Sequence, residues 1–222
     1  NQRNPLMANY LIQNTVWWIE YADLYGIRVD TYPYSDKDFM SRWSQRIMRE
    51  YPRFSMVGEE WSVNPSIVAF WQKGNKNTNG YVSEMSSMFD FPLQNALTEA
   101  LNEDDRIYNR GLVKIYQTLS QDFLYASPND LVIMPDNHDM SRFYTQIHEN
   151  FDLWKMGISF LLTTRGTPQI YYGTEVLMTN PKSDSHDEIR GEMPGGWADH
   201  TVSAFTEKGL TPQQLEAKQF MT

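Results

Sequence analysis

Apolar residues along the chain alternate between two rhythms. Across residues 6–25 they fall at helical spacing (Leu11, Val16, Trp17, Ile19, Ala22, Leu24), and the run closes at Gly26, a residue suited to a helix C-terminus. A short apolar run at 27–31 reads as a strand. Ser35 or Asp36 can cap a second helix through Phe39, Trp43, Ile47 and Met48, and residues 54–58 read as the next strand. The same alternation predicts a helix within 65–71, a strand at 84–91, helices at 93–101 and 112–125, a strand at 131–134, a helix at 151–162 and a last strand at 169–172. Thr211-Pro212 opens a final helix. Strands that alternate with helices imply crossover connections and a parallel α/β sheet. Residues 74–80 are a polar Gly/Asn-rich loop, and 176–204, rich in Gly, Pro and Asp, a long one of the kind that carries function.

Charged residues collect where three of these strands end. In "GIRVD", Arg28 and Asp30 are two apart and project to one side of a period-2 strand. "MVGEEW" ends in Glu59, Glu60 and Trp61, and "LVIMPDNHD" in Asn137, His138 and Asp139. Each has a bland explanation: an Arg28-Asp30 ion pair before a turn, a solvated Glu59, an Asp139 that caps a helix starting near Met140 or Ser141. Their coincidence at the carboxyl ends of parallel strands, where such folds bind ligands, favours a site. Crowded carboxylates push one of their number to hold a proton while the others stay ionised. Retaining glycoside hydrolysis needs that pairing, with nucleophile and acid roughly 5 to 5.5 Å apart, and a third carboxylate can stabilise the cationic transition state.

Composition narrows the ligand. A net charge of -9 disfavours nucleic acid and anionic membranes. Aromatic residues make up 14% of the chain, with 7 Trp and 13 Tyr, and their flat faces suit sugar rings. There is no cysteine, so neither a disulfide framework nor a thiolate site is available. No apolar run is long enough to span a bilayer.

The motifs resemble those of the α-amylase family, glycoside hydrolase family 13, whose catalytic domain is a (β/α)8 barrel. "GIRVD" is similar to the motif at its fourth strand, "MVGEEW" to the fifth, "MPDNHD" to the seventh and "GTPQIYYGTE" to the eighth, all in order. The resemblance implies a partial (β/α)8 TIM barrel, about strands four to eight with their helices, as one domain over 1–222. It implies Asp30 as nucleophile, Glu59 rather than Glu60 as general acid/base, and Asp139 as third carboxylate. Arg28 would brace the nucleophile, His138 would bind sugar hydroxyls and Trp61 would offer a stacking platform; Asn137 and Tyr34 complete the substrate-binding candidates. No resident metal or cofactor is implied beyond a calcium ion that the family can carry.

Two departures refine this expectation. Many α-amylases have Lys-His where this chain has Pro33 and Tyr34, and "IRGEMPGGW" (189–197) is similar to a loop of neopullulanase and cyclomaltodextrinase relatives. An α-1,4-linked maltooligosaccharide, cyclodextrin or pullulan is therefore the expected substrate, in a periplasmic or secreted parent. Nothing before residue 26 matches the family's third-strand motif, and the chain opens without methionine. It is expected to be the carboxyl-terminal part of a catalytic domain, of little activity alone and prone to self-associate through an open barrel face. Two alternatives are a glucan-binding protein without catalysis on the same fold and a metal-dependent HD-type phosphohydrolase, the latter because His138-Asp139 resembles an HD pair with Asp136, His148 and Glu149 nearby.

Overall fold

The computed structural model describes residues 1–222. In chain order its elements are α1 (Pro5–Ala22), β1 (Gly26–Val29), α2 (Lys37–Glu50), β2 (Ser55–Gly58), α3 (Pro65–Phe70), β3 (Ser87–Met88), α4 (Phe91–Asn102), α5 (Val113–Leu119), β4 (Val132–Ile133), α6 (Phe143–Gln146), α7 (Phe151–Thr163), β5 (Thr167–Pro168), α8 (His186–Ile189) and α9 (Pro212–Phe220). Their caps follow from local chemistry. The Asn4 side chain accepts from the Leu6 and Met7 amides ahead of α1, Asp36 from Phe39 ahead of α2, and Asn150 from Asp152 and Leu153 ahead of α7. Thr211 and Gln214 cap α9 reciprocally, with Pro212 at its first position.

The chain forms two compact units. The first comprises Asn1–Leu93, Tyr116–Ile133 and Arg165–Thr167. Its sheet runs β1-β2-β3, both pairings parallel, with Val29 beside Gly58 and Gly58 beside Met88. A parallel bridge from Phe89 to Val132 carries the order on to β4, which pairs with β5. Phe39, Met40, Trp43 and Ile47 of α2, one face at helical spacing, pack with Met56, Met85 and Met88 in its core. β1 is the last strand on its side. Against the sheet lies an open cavity of about 540 Å³ lined by Ile27, Arg28, Met56, Val57, Ser87 and Val132. On α1, Trp17, Trp18 and Tyr21 stay exposed, Trp17 stacking on Tyr21 at 4.7 Å.

The second unit comprises Gln94–Ile115, Met134–Thr164 and Pro168–Thr222. Leu97, Leu101, Phe143, Trp154, Ile158 and Leu161 are buried within it. Gly157 of α7 admits the Phe143 ring: a Cβ there would overlap Phe143 and lie 3.2 Å from Leu101 Cδ1.

Several boundaries differ from those predicted. α1 stops at Ala22 because Asp23 takes the left-handed conformation (φ 50°) that had been expected of Gly26. The third strand shrinks to Ser87–Met88 because the Ser86 hydroxyl, not its backbone, meets Met56, accepting from Met56 N at 3.1 Å and donating to Met56 O at 2.9 Å. α5 ends at Leu119, and Asp122, in the following turn, pairs with Arg165 at 2.6 Å. The last strand is Thr167–Pro168 rather than 169–172, since Thr167 N donates to Leu131 O and the two tyrosines beyond it turn to Arg142. Two short helices, α6 and α8, were not anticipated, α8 lying inside the long loop. No helix is long and apolar enough to cross a membrane.

The Gly157 contact yields a direct check. Gly157→Ala, otherwise favourable in a helix, should destabilise the protein by about 1 to 3 kcal/mol through overpacking, as measured by urea denaturation. A neutral or stabilising effect would show that Phe143 does not seat against α7.

Candidate active site

β1 and β2 end in step. Val29 and Gly58 are register partners, so Asp30 and Glu59 are the next residues on two neighbouring strands. Glu59 N donates to Val29 O, and Tyr32 N to Glu59 O, both at 3.0 Å, which extends the pairing one step beyond the strands. Gly58 keeps the approach open, because a Cβ there would come within 2.9 Å of Met88 Sδ. The Arg28 side chain forks between the two acids: Nη1 meets Asp30 Oδ1 at 2.9 Å and Nη2 meets Glu59 Oε1 at 2.6 Å. Glu59 is 4% exposed, and its second oxygen accepts from Thr31 N at 3.0 Å. Asp30, by contrast, is 67% exposed and open to a ligand. Burial works against the Arg28 charge, but Glu59 and then Asp30 outweigh it and leave the guanidinium pKa raised.

The neighbouring candidates divide by exposure. Glu60, the acid set aside in favour of Glu59, has its pKa raised by burial, partly countered by a hydrogen bond from Trp71. Trp61 stacks one face on Phe91 at 4.5 Å and remains half exposed. Tyr34 stands exposed on the turn after β1, while Tyr32 beside it is buried against Tyr81 and Ser83.

In the second unit, Asn137, His138 and Asp139 lie in the loop after β4. Asp139 does not cap a helix: α6 begins only at Phe143. Its Oδ2 faces His138 Nε2 at 3.0 Å, and its Oδ1 faces Arg190 Nη2 at 2.6 Å and His186 Nε2 at 3.8 Å. Asn137, a substrate-binding candidate, is 5% exposed, its Oδ1 accepting from Asp139 N at 2.8 Å. It shapes the turn that presents Asp139. No group of three or more His, Asp or Glu side chains could hold a metal ion, so the donor set of an HD-type phosphohydrolase is not assembled.

Beneath this turn is a buried pair that strand-end reasoning missed. Asp136 and Arg142 are each 1% exposed. Asp136 Oδ2 accepts from Phe143 N at 2.7 Å, whereas its Oδ1 and Arg142 Nη2 have no hydrogen-bond partner. Burial pushes the Asp136 carboxyl up to about 7, against the pull of the Phe143 amide, the Arg142 charge and the nearby Thr174 hydroxyl, which stands outside hydrogen-bond geometry. Arg142 also donates to Tyr172 O and, at 2.8 Å, to Ile189 O. The available signal was position: Arg142 follows Asp139 by three residues in "NHDMSRF", and Arg190 is the lone cation among Asp187, Glu188 and Glu192. Thus Arg28, Asp30 and Glu59 come together in one unit, and Asn137, His138, Asp139 and Arg190 in the other.

Comparison with known proteins gives a family. The model of the α-amylase catalytic domain matches residues 1–219. The chain is similar to the cyclomaltodextrin glucanotransferase of Bacillus licheniformis, 28% identical over 195 residues, covering 87% of this chain and 25% of that protein. The enzyme of the same name from Geobacillus stearothermophilus is 31% identical over 183 residues, 81% of this chain and 24% of that protein. The chain thus spans about a quarter of the length of these curated relatives. In fold it is similar to the α-amylase from Geobacillus thermoleovorans complexed with acarbose, with a TM-score of 0.76 and 24% identity over 99% of this chain and 44% of that one.

Asp136 makes stability depend on pH with a definite sign. Its carboxyl titrates near 7 when folded and near 3.9 when unfolded, so between those values the folded state binds more protons and stability falls as pH rises. Asp136→Asn should remove this slope, worth on the order of a few kcal/mol across the window, in denaturation curves collected from pH 4 to 7.5. An unchanged slope would show that Asp136 is ionised throughout.

Proposed function

Because the chain belongs to the α-amylase family, a family of glycoside hydrolases matched here over residues 1–219, we propose that the full-length protein hydrolyses α-glucosidic bonds of α-1,4-glucans with retention of configuration, these 222 residues alone having little activity. The observation that carries the reading is the Arg28 fork: one guanidinium spans an exposed Asp30 and a buried Glu59 at the ends of adjacent parallel strands. Asp30, oriented at one oxygen and open to a ligand, is the nucleophile that attacks the anomeric carbon. Glu59 passes a proton to the leaving glycosidic oxygen, then takes one from the water that opens the glycosyl ester. Both Glu59 oxygens face donors, so a Glu59 that carries the proton must first loosen its contact with Arg28, which keeps its grip on Asp30. Asp139 is the third carboxylate, with His138 beside it on sugar hydroxyls, and Trp61 offers its free face to a sugar ring.

The finer assignments belong to the same proposal. The order of the motifs supports reading β1 to β5 as strands four to eight of a (β/α)8 barrel, within one catalytic domain over 1–222. The α-glucan class agrees with relatives named for cyclomaltodextrin transfer and with the acarbose complex. The 189–197 loop favours maltooligosaccharides, cyclodextrin or pullulan, which product analysis on each polymer separates.

Two experiments test this reading. In the full-length protein, a maltosyl fluoride bearing fluorine at C5 should leave a glycosyl ester on Asp30, located by peptide mass spectrometry, and Glu59→Gln should lower maltooligosaccharide hydrolysis by about 100-fold or more. Label on another residue would overturn the roles; binding with neither label nor turnover would favour the non-catalytic glucan-binding alternative. The unpaired side of β1, the open cavity against the sheet and the exposed aromatics of α1 also support self-association. Light scattering should therefore report a mass above 26.0 kDa at high concentration, whereas a strict monomer would contradict it.

A further inference from the structure

The residues on either side of Arg190 are fixed. Ile189 is 1% exposed, and its carbonyl accepts from Arg142 Nε at 2.8 Å. The Gly191 carbonyl accepts from Tyr172 Oη at 2.8 Å. Arg142, the anchor of the first contact, is itself held by its amide, which donates to Asn180 Oδ1 at 2.8 Å, and by the rings of Tyr171 and Tyr172, whose centroids lie 4.2 and 4.6 Å from Cζ. These contacts pin the loop backbone on both sides of one arginine. They leave its side chain a single errand.

That side chain reaches back to the turn after β4. Nη2 donates to Asp139 Oδ1 at 2.6 Å and Nε to the His138 carbonyl at 2.9 Å. A planar guanidinium makes these two contacts at once, to a carboxylate and to the backbone carrying it, which an ammonium cannot do in fixed geometry. We infer that Arg190 is a positioning residue: anchored through Ile189 and Gly191, it sets the orientation in which the His138-Asp139 turn meets sugar hydroxyls. This rests on the reading of Asp139 as a sugar-binding carboxylate. It assigns part of the long loop a fixed supporting role.

Two measurements on the full-length protein test the assignment separately from that reading. In calorimetric titrations with acarbose, Arg190→Ala should weaken binding about tenfold, Arg190→Lys should recover only part of the loss, and guanidinium ion in solution should restore binding to the alanine variant. Damage to the fold would not be restored that way. Hydrogen exchange needs no ligand: the peptide covering 137–140 should exchange faster in Arg190→Ala than in the wild type. Equal acarbose affinity in the two proteins, or unchanged exchange at 137–140, would overturn the inference. Faster exchange in a protein whose wild type does not bind acarbose would uphold the positioning role and sink the α-glucan reading instead.

Discussion

A single guanidinium shared by two carboxylates is the constraint on which the first unit's chemistry depends. Arg28 can reach both Asp30 and Glu59 only because β1 and β2 run parallel and in step, and a slip of one residue would send its side chain to the other face. On the other side of β2, Gly58 and the Ser86 hydroxyl seat the third strand, the first by letting Met88 approach, the second by satisfying the Met56 backbone where that strand has not yet begun. Glu59 is nearly fully buried, and a lone carboxylate in that position would be costly; Arg28 and the Thr31 amide make it tolerable. Asp30 needs no such help, being open to solvent. Its pairing with the same arginine gives direction more than stability.

The same device recurs at other depths. Arg165, 13% exposed, lies between the buried Asp90 at 2.5 Å and Asp122 at 2.6 Å, and so ties three segments of the first unit together. Burial raises the Asp90 pKa despite that partner, which marks the triad as a structural tie whose desolvation is only partly offset. Arg142 goes further and is wholly enclosed; its main contacts are carbonyls and aromatic faces. Arg142 therefore holds backbone, whereas Arg165 ties buried carboxylates together and Arg28 and Arg190, nearer the surface, orient carboxylates.

How much of this was legible in the sequence follows from the range of the forces involved. Helices α1, α2, α7 and α9 were readable because caps and apolar spacing are local: Asp36, Pro212 and the Phe39-Trp43-Ile47 stripe announce themselves. Four of the five strands lie where the pattern places them and the fifth, Thr167–Pro168, falls just before the expected 169–172; three proved only two residues long, since a ladder depends on partners distant in sequence and on side chains such as Ser86 that replace it. Asp30 and Glu59 were found because each directly follows a strand. Arg190 does not stand out within its loop motif, because its partner Asp139 is 51 residues away and nothing local requires the pair.

The unequal legibility of the acids has a mechanical counterpart. Asp30 and Glu59 inherit their placement from the sheet, each one residue beyond a strand whose hydrogen bonds fix the backbone. Asp139 stands farther from β4, with Met134–His138 between them, and that distance has to be made up by side chains. Asn137 supplies the turn, His138 and Arg190 the two sides of the carboxylate, and Arg142 the anchor beneath Arg190. A carboxylate on a strand end is oriented by the fold itself. One on a loop is oriented as well as its supporting residues allow, so substitutions that leave the sheet intact can still unseat Asp139.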